Sequence, residues 1–263
     1  MRLNPLKEKL AGGEVVFGTM VFEFASPGLP AILSEAGASY CIYDMEHSGF
    51  SFETIKGQVA AARGLDIVIM ARPPAKEHHF ISRLLDIGVK GIMLPMVETA
   101  EEAERLVSWT RYPPHGVRGA MFGGAHDDYS SGDLAAKIKV ANENLLIIAL
   151  IETVKGLRNI EEILAVPGID VIHLGQVDLS LSMGIPGEFT RPDFQAAIET
   201  LVRACERHGK TAAGLVPNVH TGIDWMRRGF RMISYSMDIN LLKDGLRSGI
   251  THLQEYASES KLV

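Results

Sequence analysis

The chain has 263 residues, 46% hydrophobic and 22% charged, an ordinary balance for a globular protein and enough length for one large domain. Its formal net charge of −6 leaves no basic footprint for nucleic acid, and two cysteines, Cys41 and Cys205, make no disulfide framework and suit a reducing compartment. The longest apolar run, "LLIIALI" from Leu145, is far short of the ~20 residues of a membrane span, and the opening "MRLNPLKEKLAGGE" has no apolar stretch of the secretory kind. No membrane partner and a cytoplasmic location are therefore expected.

In chain order, short apolar runs of strand-forming residues appear at "VVFGTM" (Val15), "YCIYD" (Tyr40), "DIVIMAR" (Asp66) and "GIMLPM" (Gly91). Four more follow at "LLIIALIE" (Leu145), "VIHLG" (Val171), "TAAGLV" (Thr211) and "RMISYS" (Arg231). Helix-like stretches separate them. One opens on Ser51 as a cap and stops at Gly64; a second starts at Thr99 with acids in its first turn; a third has Pro192 near its start and Gly209 after its end. Continuous apolar strands alternating with helices predict a parallel sheet covered by helices, and eight repeats predict an α/β fold, a single-domain (β/α)8 TIM barrel over residues 1–263. An open doubly wound sheet is the alternative, but no G-x-G-x-x-G follows the first strand and no P-loop occurs.

Barrel chemistry sits where strands end. The second run ends in Asp44, Glu46 and His47; the third in Arg72, stopped by Pro73 and Pro74; the fifth in Glu152; the sixth runs into "GQVDLS", with Asp178 just beyond. Singly, each is as well read as an exposed strand end, and Asp178 as a helix cap. Together they put acids, an imidazole and a guanidinium on one rim. Glu152 and Asp178 are hard oxygen donors with no cysteine beside them, which favours a divalent ion such as Mg²⁺, Mn²⁺ or Co²⁺ over structural zinc. Arg72 suits a carboxylate or a developing enolate oxygen, and the imidazole of His47 suits proton transfer near neutral pH. His78, His79, His115, His208 and His252 read as ordinary loop histidines. Lys90 and Lys210 precede their strands and Lys155 falls within a helix, so Schiff-base chemistry has no lysine at a strand end.

The segments "YDMEHSGF", "ARPP", "LLDIGVKGIMLPMVETAEEAERLV", "TRYPPHGVRG", "IET" and "GQVDLSLSMG" resemble the class II pyruvate aldolases of the HpcH/HpaI family, with a likeness running from about Glu14 to Arg247. The resemblance implies a divalent metal on Glu152 and Asp178, and cleavage or formation of 4-hydroxy-2-oxo acids from pyruvate or hydroxypyruvate and an aldehyde through a metal-stabilised enolate. It places the base on His47 and the enolate-stabilising arginine on Arg72. The acid that strengthens the base falls on Asp86, and the carboxylate orienting the imidazole or a water falls on Asp44. The amides of Val177 and Asp178 correspond to the site for the pyruvate carboxylate. A homohexamer built as a trimer of dimers, with exchanged C-terminal helices, is also implied. The apolar spacing of Ile239, Leu242, Leu246, Ile250 and Leu253 fits that segment, although a helix packed on its own barrel has the same pattern.

Departures from the family fall at substrate positions. Leu150 stands where relatives commonly place a glutamine touching the substrate, Gln176 where a proline is usual, and His126 near a common arginine. An apolar wall at Leu150 implies a permissive aldehyde site. Rival readings are an acyl-CoA lyase of the same superfamily, an oxaloacetate decarboxylase and a non-catalytic oligomeric scaffold.

Overall fold

Each of the eight apolar runs forms a strand in the computed structural model, which describes residues 3–260. The outermost residues of the expected 1–263 domain, 1–2 and 261–263, lie outside the described residues. The strands are β1 (Val16–Val21), β2 (Tyr40–Asp44), β3 (Val68–Arg72), β4 (Gly91–Leu94), β5 (Leu146–Ile151), β6 (Val171–Leu174), β7 (Thr211–Val216) and β8 (Met232–Met237). They pair in parallel in chain order, and β8 returns to β1 to close the barrel. That last pairing excludes the open sheet.

A first helix, α1 (Pro5–Ala11), precedes the barrel, and α2 (Leu29–Glu35), α3 (Phe52–Ala61), α4 (His78–Asp86) and α5 (Ala100–Thr110) follow the first four strands. The second half carries α6 (Leu134–Asn144), α7 (Val154–Arg158), α8 (Ile160–Ala165), α9 (Gln176–Ser182), α10 (Pro192–Arg207), α11 (Val219–Arg228) and α12 (Asp238–Glu259). The caps read from the sequence are present: Ser51 accepts the Thr54 N–H and Thr99 accepts the Glu102 N–H, each satisfying a donor that the first turn leaves free. Pro192 opens α10, and Gly209 takes a left-handed φ of 61° just past its end.

Because side chains alternate along a strand, two apolar layers form. In β5, Leu146, Ile148 and Leu150 face the barrel interior, while Ile147, Ala149 and Ile151 face the helices. The interior is filled rather than hollow. At Gly18 a Cβ would lie 2.5 Å from the ring of Tyr40, whose hydroxyl shares a 3.0 Å hydrogen bond with Ser234 across the barrel. Both cysteines are buried and free, and among the described residues no helix is long and apolar enough to cross a membrane.

Candidate active site

β2 and β3 pair so that Asp44 lies beside Arg72 at the C-terminal rim. Asp44 is fully buried, and Arg72 grips it with two bonds, Nε to Oδ1 at 2.9 Å and Nη2 to Oδ2 at 2.5 Å. The same carboxylate accepts the backbone N–H of Glu46 at 2.8 Å and of His47 at 3.4 Å, folding the D-x-E-H segment into a turn. Asp44 thus fixes Arg72 and the turn. Its contact with His47 is to the backbone, not to the imidazole. The His47 side chain is 60% exposed, with Nε2 3.8 Å from Glu46.

Glu46 reaches back to Arg72 at 3.2 Å. Burial opposes the charge on Arg72, but the bonds to Asp44 and the negative field of Asp44, Glu46 and Glu152 outweigh it and hold the guanidinium firmly protonated.

Glu152, the residue after β5, points inward and is 3% exposed. It takes the Met96 N–H on Oε1 at 2.7 Å. Its other oxygen, Oε2, occupies space that a side chain on Gly175 would fill, since a Cβ there would lie 2.7 Å away. Burial pushes its carboxyl up to about 7; the Met96 N–H and Arg72 oppose this, while Asp178 and Glu46 add to it. Three carboxylates, Asp44, Glu46 and Glu152, therefore share one guanidinium that Asp44 already holds, and Asp178 adds its charge to Glu152.

Asp178 is exposed in the first turn of α9, three residues past Gly175, so it is not the cap of that helix. Val177 is exposed beside it, and first-turn amides have no carbonyl of their own helix to bond. Among the described residues, no three histidine, cysteine or acidic side chains make a finished metal cage. Glu152 and Asp178 nevertheless fit a hard divalent cation that keeps water or ligand oxygens: a buried carboxylate without a full counter-charge, seated where Gly175 carries no side chain, and an exposed second carboxylate that acts on it.

Two expected positions do not join this rim within the chain. Asp86 ends α4, whose nine residues run down the outside of the barrel, and it binds Arg118 at 2.7 Å instead of approaching His47. His126 lies buried in a 3-10 turn (Ala125–Asp127), 3.4 Å from the Tyr112 hydroxyl, in the same N-terminal neighbourhood. The cause is topological, because helices after β3 and β4 carry the chain to the opposite end. Leu150 is 2% exposed and packs beneath Glu152, so it is part of the floor rather than an open wall.

His173 is not among the residues expected from the sequence. It faces the interior from β6, paired in register with Leu150, and neither ring nitrogen makes a hydrogen bond of good geometry. Burial, then the charge of Arg72, pull its pKa down to about 3, so the ring is neutral. A lone histidine in the run "VIHLG", two residues before the inward Gly175, was the available signal.

Residues 19–244 match the family model described as HpcH/HpaI aldolase/citrate lyase. A hydroxypyruvate/pyruvate aldolase from Delftia acidovorans is 35% identical, covering 91% of this chain and 88% of that protein. A 5-keto-4-deoxy-D-glucarate aldolase from Shigella boydii is 32% identical over 91% of this chain and 92% of the relative. The crystal structure of an HpcH/HpaI aldolase from Desulfitobacterium hafniense superposes with a TM-score of 0.92 at 32% identity, covering 97% and 98% of the two chains.

Proposed function

The chain belongs to the HpcH/HpaI aldolase/citrate lyase family as an aldolase, a lyase, and from that premise we propose that it makes and breaks 4-hydroxy-2-oxo acids, using pyruvate or hydroxypyruvate and an aldehyde. The observation that carries the reading is the charge surplus at Glu152, a buried carboxylate set among Asp178 and Glu46 with its nearest guanidinium engaged by Asp44. A divalent cation (Mg²⁺, Mn²⁺ or Co²⁺) on Glu152 and Asp178 would supply the positive charge that stabilises an enolate oxygen. Arg72, locked by Asp44 and Glu46, presents its guanidinium to the same oxygen without having to reorganise. The first-turn amides of Val177 and Asp178 face the substrate carboxylate, a charge that a helix start favours. His47, exposed at the rim on a turn fixed by Asp44, takes the proton of the C4 hydroxyl in cleavage and returns it in synthesis.

The assembly is part of the proposal. α12 is 22 residues long, and its Leu242, Leu246, Leu253 and Tyr256 are 58%, 62%, 71% and 65% exposed. Its principal contacts are with β1 and β8, and its buried residue is Asp238 at its start. A second copy of the chain covers this face in an exchanged-helix oligomer, a hexamer of three dimers. Light scattering at micromolar concentration giving the mass of one chain would refute it.

The test of the chemistry is exchange of pyruvate methyl protons into D₂O, followed by NMR. Exchange that stops with EDTA and returns with Mn²⁺ supports the enolate reading. No exchange with any divalent ion leaves a scaffold.

A further inference from the structure

We infer that Lys76 is a positioning residue for Glu152, acting through the backbone of Met96, an assignment that rests on the reading of Glu152 as a cation ligand. Met96 follows β4 with a φ of +50°, in the left-handed region that a side chain disfavours. The residue is 40% exposed, so it is not locked in place by burial. Two polar contacts grip the residue itself. Its N–H donates to Glu152 Oε1 at 2.7 Å, and its carbonyl accepts from Lys76 Nζ at 2.6 Å.

In a helical conformation of either hand, the N–H and C=O of one residue point in nearly opposite directions. An ammonium on the carbonyl and a carboxylate on the N–H therefore hold Met96 from its two ends. Lys76 is itself anchored. Its ammonium pairs with Glu102 of α5, whose other oxygen accepts the Glu98 N–H at 2.9 Å. The chain of contacts runs Glu102, Lys76, Met96, Glu152 and links the loops after β3 and β4 to the end of β5. The contact fixes which oxygen of Glu152 is free. Oε1 is committed to Met96, and Oε2 stays on the Gly175 side for a cation. Outer contacts of this kind set ligand orientation and tune metal affinity.

Three proteins test this: wild type, Lys76→Met, and Lys76→Met combined with Met96→Asn. Asparagine enters the left-handed region more readily than methionine, so it reduces the need for the lysine. Without metal, hydrogen exchange of the peptide covering Met96 is expected to be about tenfold faster in Lys76→Met, and Mn²⁺ affinity by calorimetry about tenfold weaker. The double variant is expected to regain affinity to within about twofold of wild type. Exchange or affinity in Lys76→Met within about twofold of wild type overturns the assignment. So does a loss of affinity that Met96→Asn does not repair, because Lys76 would then serve only Glu102. Absence of Mn²⁺ binding in the wild type would instead refute the cation site, while the metal-free exchange still reports whether Lys76 holds Met96.

Discussion

At the N-terminal face, the fully buried Asp127 is pushed up by burial, yet the Lys137 ammonium at 2.8 Å and the Gly123 N–H hold it below the ordinary carboxylate range. At the C-terminal rim, Glu152 is similarly buried and rises to about 7. The N-terminal acids have their own cations, with Asp86 on Arg118 at 2.7 Å and Asp170 on Lys7 at 3.0 Å. At the rim, Asp44, Glu46 and Glu152 share the single guanidinium of Arg72. Nor is a strand-end acid enough to mark the imbalance. Asp238, just past β8, is taken up by the N–H groups of Phe22, Glu23 and Phe24 at 2.8–3.0 Å and serves the fold. A buried acid with a partner is architecture, and one without a full partner marks a place where a ligand completes the charge.

Removing the rim's guanidinium should break this contrast most. Arg72→Ala leaves Asp44 buried and unpaired, with an expected destabilisation of ~3–5 kcal/mol and loss of aldol cleavage. Lys7→Ala at the opposite face leaves Asp170 partly exposed and still bonded to the Ile147 N–H, for at most about 1 kcal/mol. Urea unfolding of the two variants makes the comparison. Equal losses would erase the difference between the faces.

His47→Ala separates chemistry from fold. Cleavage is expected to fall by ~10²–10⁴, while the unfolding free energy stays within ~0.5 kcal/mol, because the side chain is 60% exposed. Mn²⁺ affinity is expected to survive. Near wild-type cleavage would remove His47 from the mechanism.

The charge surplus has a pH signature in the metal-free protein. Glu152 ionises near 4.5 when unfolded and only near about 7 when folded. Folding therefore takes up a proton between those values, and stability falls as pH rises through that window, reaching its full cost above about 7. Glu152→Gln cannot ionise and keeps an oxygen for the Met96 N–H. In EDTA it should be more stable than wild type at about pH 8, by on the order of 3 kcal/mol, with the gain gone near about pH 4.5. A thermal melt series showing no pH dependence of the difference would contradict the shift.

His173 gives the opposite slope and a smaller effect. An unfolded histidine protonates near 6.5, but in the folded chain this one waits until about 3, so stability drops as pH falls below 6.5. His173→Leu should stabilise the protein by ~2 kcal/mol at about pH 5, and less above about pH 6.5, where only the two unbonded nitrogens are relieved. Melting curves at both pH values check it. A less stable variant at low pH would show that the ring has a partner.

The barrel was legible because its strands are mostly buried and read as short, largely apolar runs, with caps such as Ser51 and Thr99 marking helix starts. The rim charges were legible for the same reason: Asp44, Arg72 and Glu152 interrupt those runs where they end. Asp86 and His126 fall at the other end of this chain's own barrel, because motif order says nothing of which end a residue reaches. The nine-residue α4 alone spans ~13 Å, enough to carry Asp86 away from His47. Met96 and Lys76 left no signal, since a left-handed φ and a contact across twenty positions exist only after folding. Leu150 and His173 sat in runs whose alternation showed that they face the same way as Glu152 and Gly175, but burial beneath the site is set by the barrel's layers.

A rim short of positive charge should take it from solution, and Mn²⁺ binding followed by calorimetry in wild type and Glu152→Gln across about pH 6 to 8 measures this directly. The expected result is one Mn²⁺ per wild-type chain, weakening as pH falls through about 7 when a proton competes for Glu152, and no binding in Glu152→Gln. Binding that survives Glu152→Gln, or that strengthens toward acid, would contradict a cation held at Glu152.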